Sequence, residues 1–166
     1  MNSRWIIGVL AGVAGSGALI VPSTAMAAPG GTGHTVTMTE VTHGVFDAGL
    51  TDPNPCTGAV VVSSDASGTV VNHVTYFPAG DEVWGTFTET AKITIVDSND
   101  VTFTGRITAW GNFNLNEKNT NNTFTLTVSL SGSDGSTITV HEVQHFALNA
   151  NGVVTVEFDK MNLTCG

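Results

Sequence analysis

The chain has 166 residues, with 14 Asp and Glu against 5 Lys and Arg, a formal net charge of −9 at pH 7 and 2 cysteines. An acidic chain without a basic cluster repels phosphate backbones and anionic membrane surfaces, which argues against nucleic acid and charged lipid as partners. The length suits one domain with a sizeable core.

The N-terminus reads as an export tag. Met1 to Arg4 is a short basic head, Trp5 to Val21 is an apolar run, and Ala25-Met-Ala27 supplies the small-residue pattern for cleavage. The run is short for a bilayer span and carries no charged stop, so residues 1–27 are predicted to be a signal peptide and no stable membrane anchor is expected after cleavage. Removing them takes away Arg4 and no carboxylate, so the remainder is more acidic still. Residues 28–33 are expected to form a flexible N-terminus, and 34–166 a single secreted β domain.

Downstream, apolar residues recur at every second position, the period of strands. Eight are predicted, at about 34–42, 58–63, 69–77, 82–96, 101–115, 123–131, 137–149 and 153–163. In the third last of these, Phe124, Leu126, Val128 and Leu130 share one face and Thr and Ser the other. Val83, Gly85, Phe87, Ala91, Ile93 and Ile95 alternate likewise, with Glu89 as the exception, and Trp84 and Trp110 fall on Thr-rich faces. Short turns between long strands imply an all-β antiparallel domain, with a closed barrel favoured over a two-sheet sandwich because closure removes exposed edges. Cys56 and Cys165, in a compartment where disulfides persist, are expected to bond to each other.

His141-Glu142-Val143-Gln144-His145 matches the H-E-x-x-H zinc signature, whose chemistry requires a helix so that both histidines reach one metal. On a strand the two histidines stand about 13 Å apart with the Glu on the other face. Val143, Phe146, Ala147 and Ala150 also fit helical spacing. The β-branched run Thr137-Ile-Thr-Val140 and the turn dipeptides Asp134-Gly135 and Asn151-Gly152 favour a strand. Two-residue loops there place Phe124 opposite His145 and Val128 opposite His141, with His145 opposite Phe158 and Ala147 opposite Val156. A bulged three-residue loop at Asp134-Gly135 instead turns Ile138, Val140 and Glu142 inward.

Asn54-Pro-Cys56-Thr-Gly58, Ser133-Asp-Gly-Ser136 through His141-Glu142, Asn149-Ala-Asn-Gly152, Phe158-Asp159 and Leu163-Thr-Cys165 together resemble small secreted actinobacterial proteins of unknown function. The resemblance covers most of the chain after residue 27. It implies an exported β domain with a cysteine pair near its ends, and it brings no activity or site residues.

Three functions remain open. The first is a non-enzymatic β-barrel holding a small apolar ligand, with Phe124, Leu126, Val128, His141, His145 and Phe158 lining the cavity. The second is an extracellular or surface interaction protein with a packed core, using a patch around Trp84 and Trp110. The third is an enzyme, through inward histidines or the zinc motif. No catalytic set, metal site or cofactor fingerprint is assigned: nucleophile elbow, phosphate loop and Rossmann glycines are all lacking, and Asp97-Ser-Asn-Asp100 reads as a plain turn rather than a calcium loop.

Overall fold

The computed structural model describes residues 34–47, 53–77, 82–116 and 118–166. The expected signal peptide (1–27) and flexible N-terminus (28–33) lie outside them. All regular structure among the described residues is β: β1 (Val36–Asp47), β2 (Val61–Phe77), β3 (Glu82–Asp97), β4 (Thr102–Leu115), β5 (Asn119–Gly132), β6 (Thr137–Asn149) and β7 (Val154–Cys165). They form one antiparallel meander in the order β1-β2-β3-β4-β5-β6-β7. No described helix is long and apolar enough to cross a membrane.

The sheet is open. β1 and β7 are its two edges, so the closed barrel expected from the sequence is corrected. Pairing places Glu40 of β1 and Asp159 of β7 in the same inner row, with Glu157 in the next.

The eight expected strands are seven, because the segments at 58–63 and 69–77 are one strand. Ser63 to Gly68 looks like a turn in sequence, yet it pairs continuously with β3 and, from Asp65, with β1. Gly68 serves close packing there. A Cβ on it would stand 2.2 Å from the Thr90 carbonyl oxygen and 2.7 Å from the Ala91 Cβ.

One face of one half of the sheet is dry. Ala66, Ala91, Ile93, Ile95, Phe103, Ile107, Ala109, Leu126, Val128, Leu130, Ile138 and Val140 are all buried, each on the inner side of its strand. Among the described residues no helix or second sheet covers them. A single sheet that buries Leu126 and Val140 completely must therefore roll on itself, so that β2 and β6 contribute to the same cluster. Fully burying each large aliphatic side chain stabilises the fold by about 1.5–3 kcal/mol.

The segment before β2 covers one end of the roll. Buried Asn54 accepts hydrogen bonds at Oδ1 from the amides of Cys56 (2.9 Å) and Thr57 (3.3 Å), and Cys56 packs on the core. Its bond to Cys165, with Cα atoms 5.8 Å apart, ties this loop to the end of β7, matching the expected pairing. Such a disulfide is compatible with an extracellular protein.

Candidate ligand-binding face

Turn chemistry decides which residues face inward. The β5–β6 connection is a three-residue loop, Ser133-Asp134-Gly135: the Gly135 amide donates to the Gly132 carbonyl, the Gly132 amide donates to the Ser136 carbonyl, and Gly135 has φ +89°. Asp134 Oδ1 accepts from both the amide and the hydroxyl of Ser136, which holds its carboxyl below the usual range. This is a type I turn followed by a left-handed residue, one residue longer than a two-residue hairpin loop. It moves the β5–β6 register by one and turns every β6 side chain over.

The observed pairs are Phe124 with Gln144, Leu126 with Glu142 and Val128 with Val140. The expected pairing of Phe124 with His145 and of Val128 with His141 is therefore corrected; the bulged arrangement holds, with Ile138, Val140 and Glu142 inward. Between β6 and β7, His145 faces Phe158 and Ala147 faces Val156, as the sequence suggested, because an irregularity at Ala147/Leu148 offsets the three-residue loop there. The six residues named as lining a cavity thus divide. Phe124, Leu126 and Val128 are on the inner face; His141, His145 and Phe158 are on the outer one.

The H-E-x-x-H segment is a strand. Its histidines point outward and hydrogen-bond to threonines of β5, His145 Nδ1 with Thr123 Oγ1 at 2.9 Å and His141 Nδ1 with Thr127 Oγ1 at 3.2 Å. Glu142 points the opposite way, so the zinc constellation is not assembled. Among the described residues no group of three or more His, Cys, Asp or Glu is placed to hold a metal ion. His73 with Thr39 and His43 with Thr69 repeat the pairing across β1 and β2.

Cross-strand partners share a face, so the inner face can be followed row by row. The row Gly44, Gly68, Ala91, Ile107, Val128, Val140 and Leu163 lies within the dry half. The next is Thr42, Val70, Glu89, Ala109, Leu126, Glu142 and Met161, where two carboxylates enter. The one after is Glu40, Asn72, Phe87, Gly111, Phe124, Gln144 and Asp159. Beyond it, Met38, Val74, Phe113 and Phe146 stand half-buried on the same face.

The aromatic rings there are held by glycines opposite them. Phe87 lies across Gly111, where a Cβ would meet its ring at 2.5 Å, and stacks beside Phe124 with ring centroids 6.1 Å apart and planes 25° from parallel. Phe113 lies across Gly85 in the same way.

Glu89 and Glu142 are nearly inaccessible, at 6% and 1% exposure. Burial raises the Glu89 carboxyl to about 7. Burial also raises Glu142, and Asp159 adds to the rise, while a hydrogen bond donated by Gln144 Nε2 to Oε1 opposes it. Glu142 Oε2 is buried and has no hydrogen-bond partner. Sequence reading singled out Glu89 as the break in an apolar alternation; Glu142 was visible only through the bulged-loop register.

The outer face carries Trp84 and Trp110, 50% and 45% exposed. They stand two rows and one strand apart, so they do not form one stacking platform. Trp84 packs on Phe77 at 5.0 Å and, with Asn114 and Asn116, hydrogen-bonds Glu82, holding that carboxyl below its usual range. Compared with known proteins, the chain matches no family model, no curated protein and no solved structure.

Proposed function

We propose that this is a non-enzymatic binding protein of the cell exterior, taking one small, largely apolar ligand on the inner face of the open half of its rolled sheet. The observation that carries this reading is the Phe87–Phe124 stack. These rings, with Phe113, Phe146 and Met38, extend the dry core outward as half-buried apolar surface with no described element over it. Apolar concave surface beside a few polar groups is the usual character of a small-molecule site. Of the residues first expected to line a cavity, Phe124 keeps that role; Leu126 and Val128 form the packed floor beneath it, and the histidines drop out with Phe158.

The test is a fluorescence titration with N-phenyl-1-naphthylamine, an uncharged apolar probe at neutral pH. One saturable site is expected, lost in Phe124→Ala and retained in Trp110→Ala. Absence of saturable binding overturns the proposal. Loss on changing Trp110 alone would move the site to the outer face and favour a surface interaction protein.

A further inference from the structure

Charge on the inner face is one-sided. Glu89 and Glu142 lie in one row at the edge of the dry core, with Glu40, Glu157 and the Asp159 carboxylate in the two rows above them and the Tyr76 hydroxyl beyond. Asp97 sits at the opposite end of the core, its Oδ1 accepting from the amides of Asn99 and Val101. The bases of the described strands are all elsewhere. Lys92 pairs with Arg106 and Lys160 with Val143 on the outer face, where His43, His73, His141 and His145 also lie.

A carboxylate in such a place is costly unless it is neutral or paired. Glu142 is the sharper case. Its side chain is 1% exposed, Oε1 has only the neutral amide of Gln144 as donor, and Oε2 has none. An acidic group that the protein itself leaves unanswered, directly below an aromatic pair, fits a ligand that brings both a charge-assisted donor and an apolar body.

We infer that the inner face selects a protonated amine carried on an apolar body, with Glu142 accepting its N–H groups, Glu89 adding negative potential from three strands away, and Phe87 and Phe124 contacting the apolar part. This deepens the proposed apolar site and rests on it. Glu89 and Glu142 are three inter-strand steps apart, about 14 Å along the sheet, so the ammonium sits at Glu142 and Glu89 acts on it only at a distance. The amine takes the place of the Gln144 amide at Glu142. Binding favours the ionised carboxylates, so affinity for the amine rises with pH as these groups lose their protons, and binding releases protons.

The experiment is calorimetric titration of the whole oxidised protein at pH 8 with three probes of one shape: 2-(2-naphthyl)ethylamine, 2-(2-naphthyl)ethanol and 3-(2-naphthyl)propanoate. The amine is expected to bind at least tenfold tighter than the alcohol, and the propanoate most weakly. Glu142→Gln should bring the amine down to the affinity of the alcohol and leave the alcohol unchanged; Glu89→Gln should reduce the same preference. In the unaltered protein the preference should shrink between pH 8 and pH 5.5, which tests the inference even where a variant fails to fold. Equal affinity for amine and alcohol overturns the amine inference and leaves the apolar site standing. Binding of none of the three overturns both. A preference that survives both substitutions places charge recognition elsewhere and also overturns it.

Discussion

The buried carboxyl of Glu89 ties the stability of the domain to pH. Its carboxyl is raised by burial from 4.5 to about 7. The folded state therefore favours the protonated form: the full contribution is present below pH 4.5, declines across pH 4.5 to 7, and is lost above 7. The loss is about 2 kcal/mol once solvent screening is allowed for. Glu142, raised in the same direction, adds to it. Urea denaturation at pH 5 and pH 8 should find the protein less stable at pH 8, and Glu89→Gln should remove much of that difference. An unchanged difference in the variant would show that the dependence arises elsewhere. The position was readable in the sequence because Glu89 interrupts an otherwise apolar face. That Glu142 shares its row was not, since that depends on one residue in a distant turn.

At the scale of elements, alternation was the legible signal and turn length the illegible one. Phe124, Leu126, Val128 and Leu130 read inward from alternation alone, because a half-buried strand needs only period two. The face of β6 could not be read so directly, since Ile138 and Val140 on one side compete with His141 and Val143 on the other. The Ser133-Asp134-Gly135 loop settles it. Ser63 to Gly68 misled for a related reason: small polar residues that look like a turn are also what a tightly packed strand crossing requires. Two glycines separate these roles. Gly135 has φ +89° and nothing within 4 Å of a Cβ, so Gly135→Ala should cost about 1 kcal/mol through backbone strain alone. Gly111→Ala must displace the Phe87 ring, and the Thr123 carbonyl oxygen would lie 2.8 Å away. It should cost more than Gly135→Ala in urea denaturation and weaken probe binding as well. Equal costs with intact binding would contradict the assigned ring packing.

At the scale of the molecule, the arrangement is a sheet rolled tightly at one end and open at the other. The Cys56–Cys165 bond closes a separation of 109 residues at the tight end, where the core is driest. Removing so long a loop's closure from the unfolded chain is worth about 4–5 kcal/mol in the entropic account. The sequence suggested closure because neighbouring strands pair and the cysteines lie near the chain's ends. β1 and β7 nevertheless remain separate edges, and the cysteine bond ties the loop before β2 to the end of β7, as expected. The open half is thereby left with an apolar, acidic inner face and a Thr-rich outer face carrying Trp84 and Trp110. An NMR titration of the uniformly labelled protein with N-phenyl-1-naphthylamine distinguishes the two surfaces most directly. Shifts are predicted at Phe87, Gly111, Phe124, Glu142 and Gln144, with the indole resonances of Trp84 and Trp110 unmoved. Shifts confined to those indoles and to His145 and Phe158 would contradict the assignment of the inner face as the binding surface.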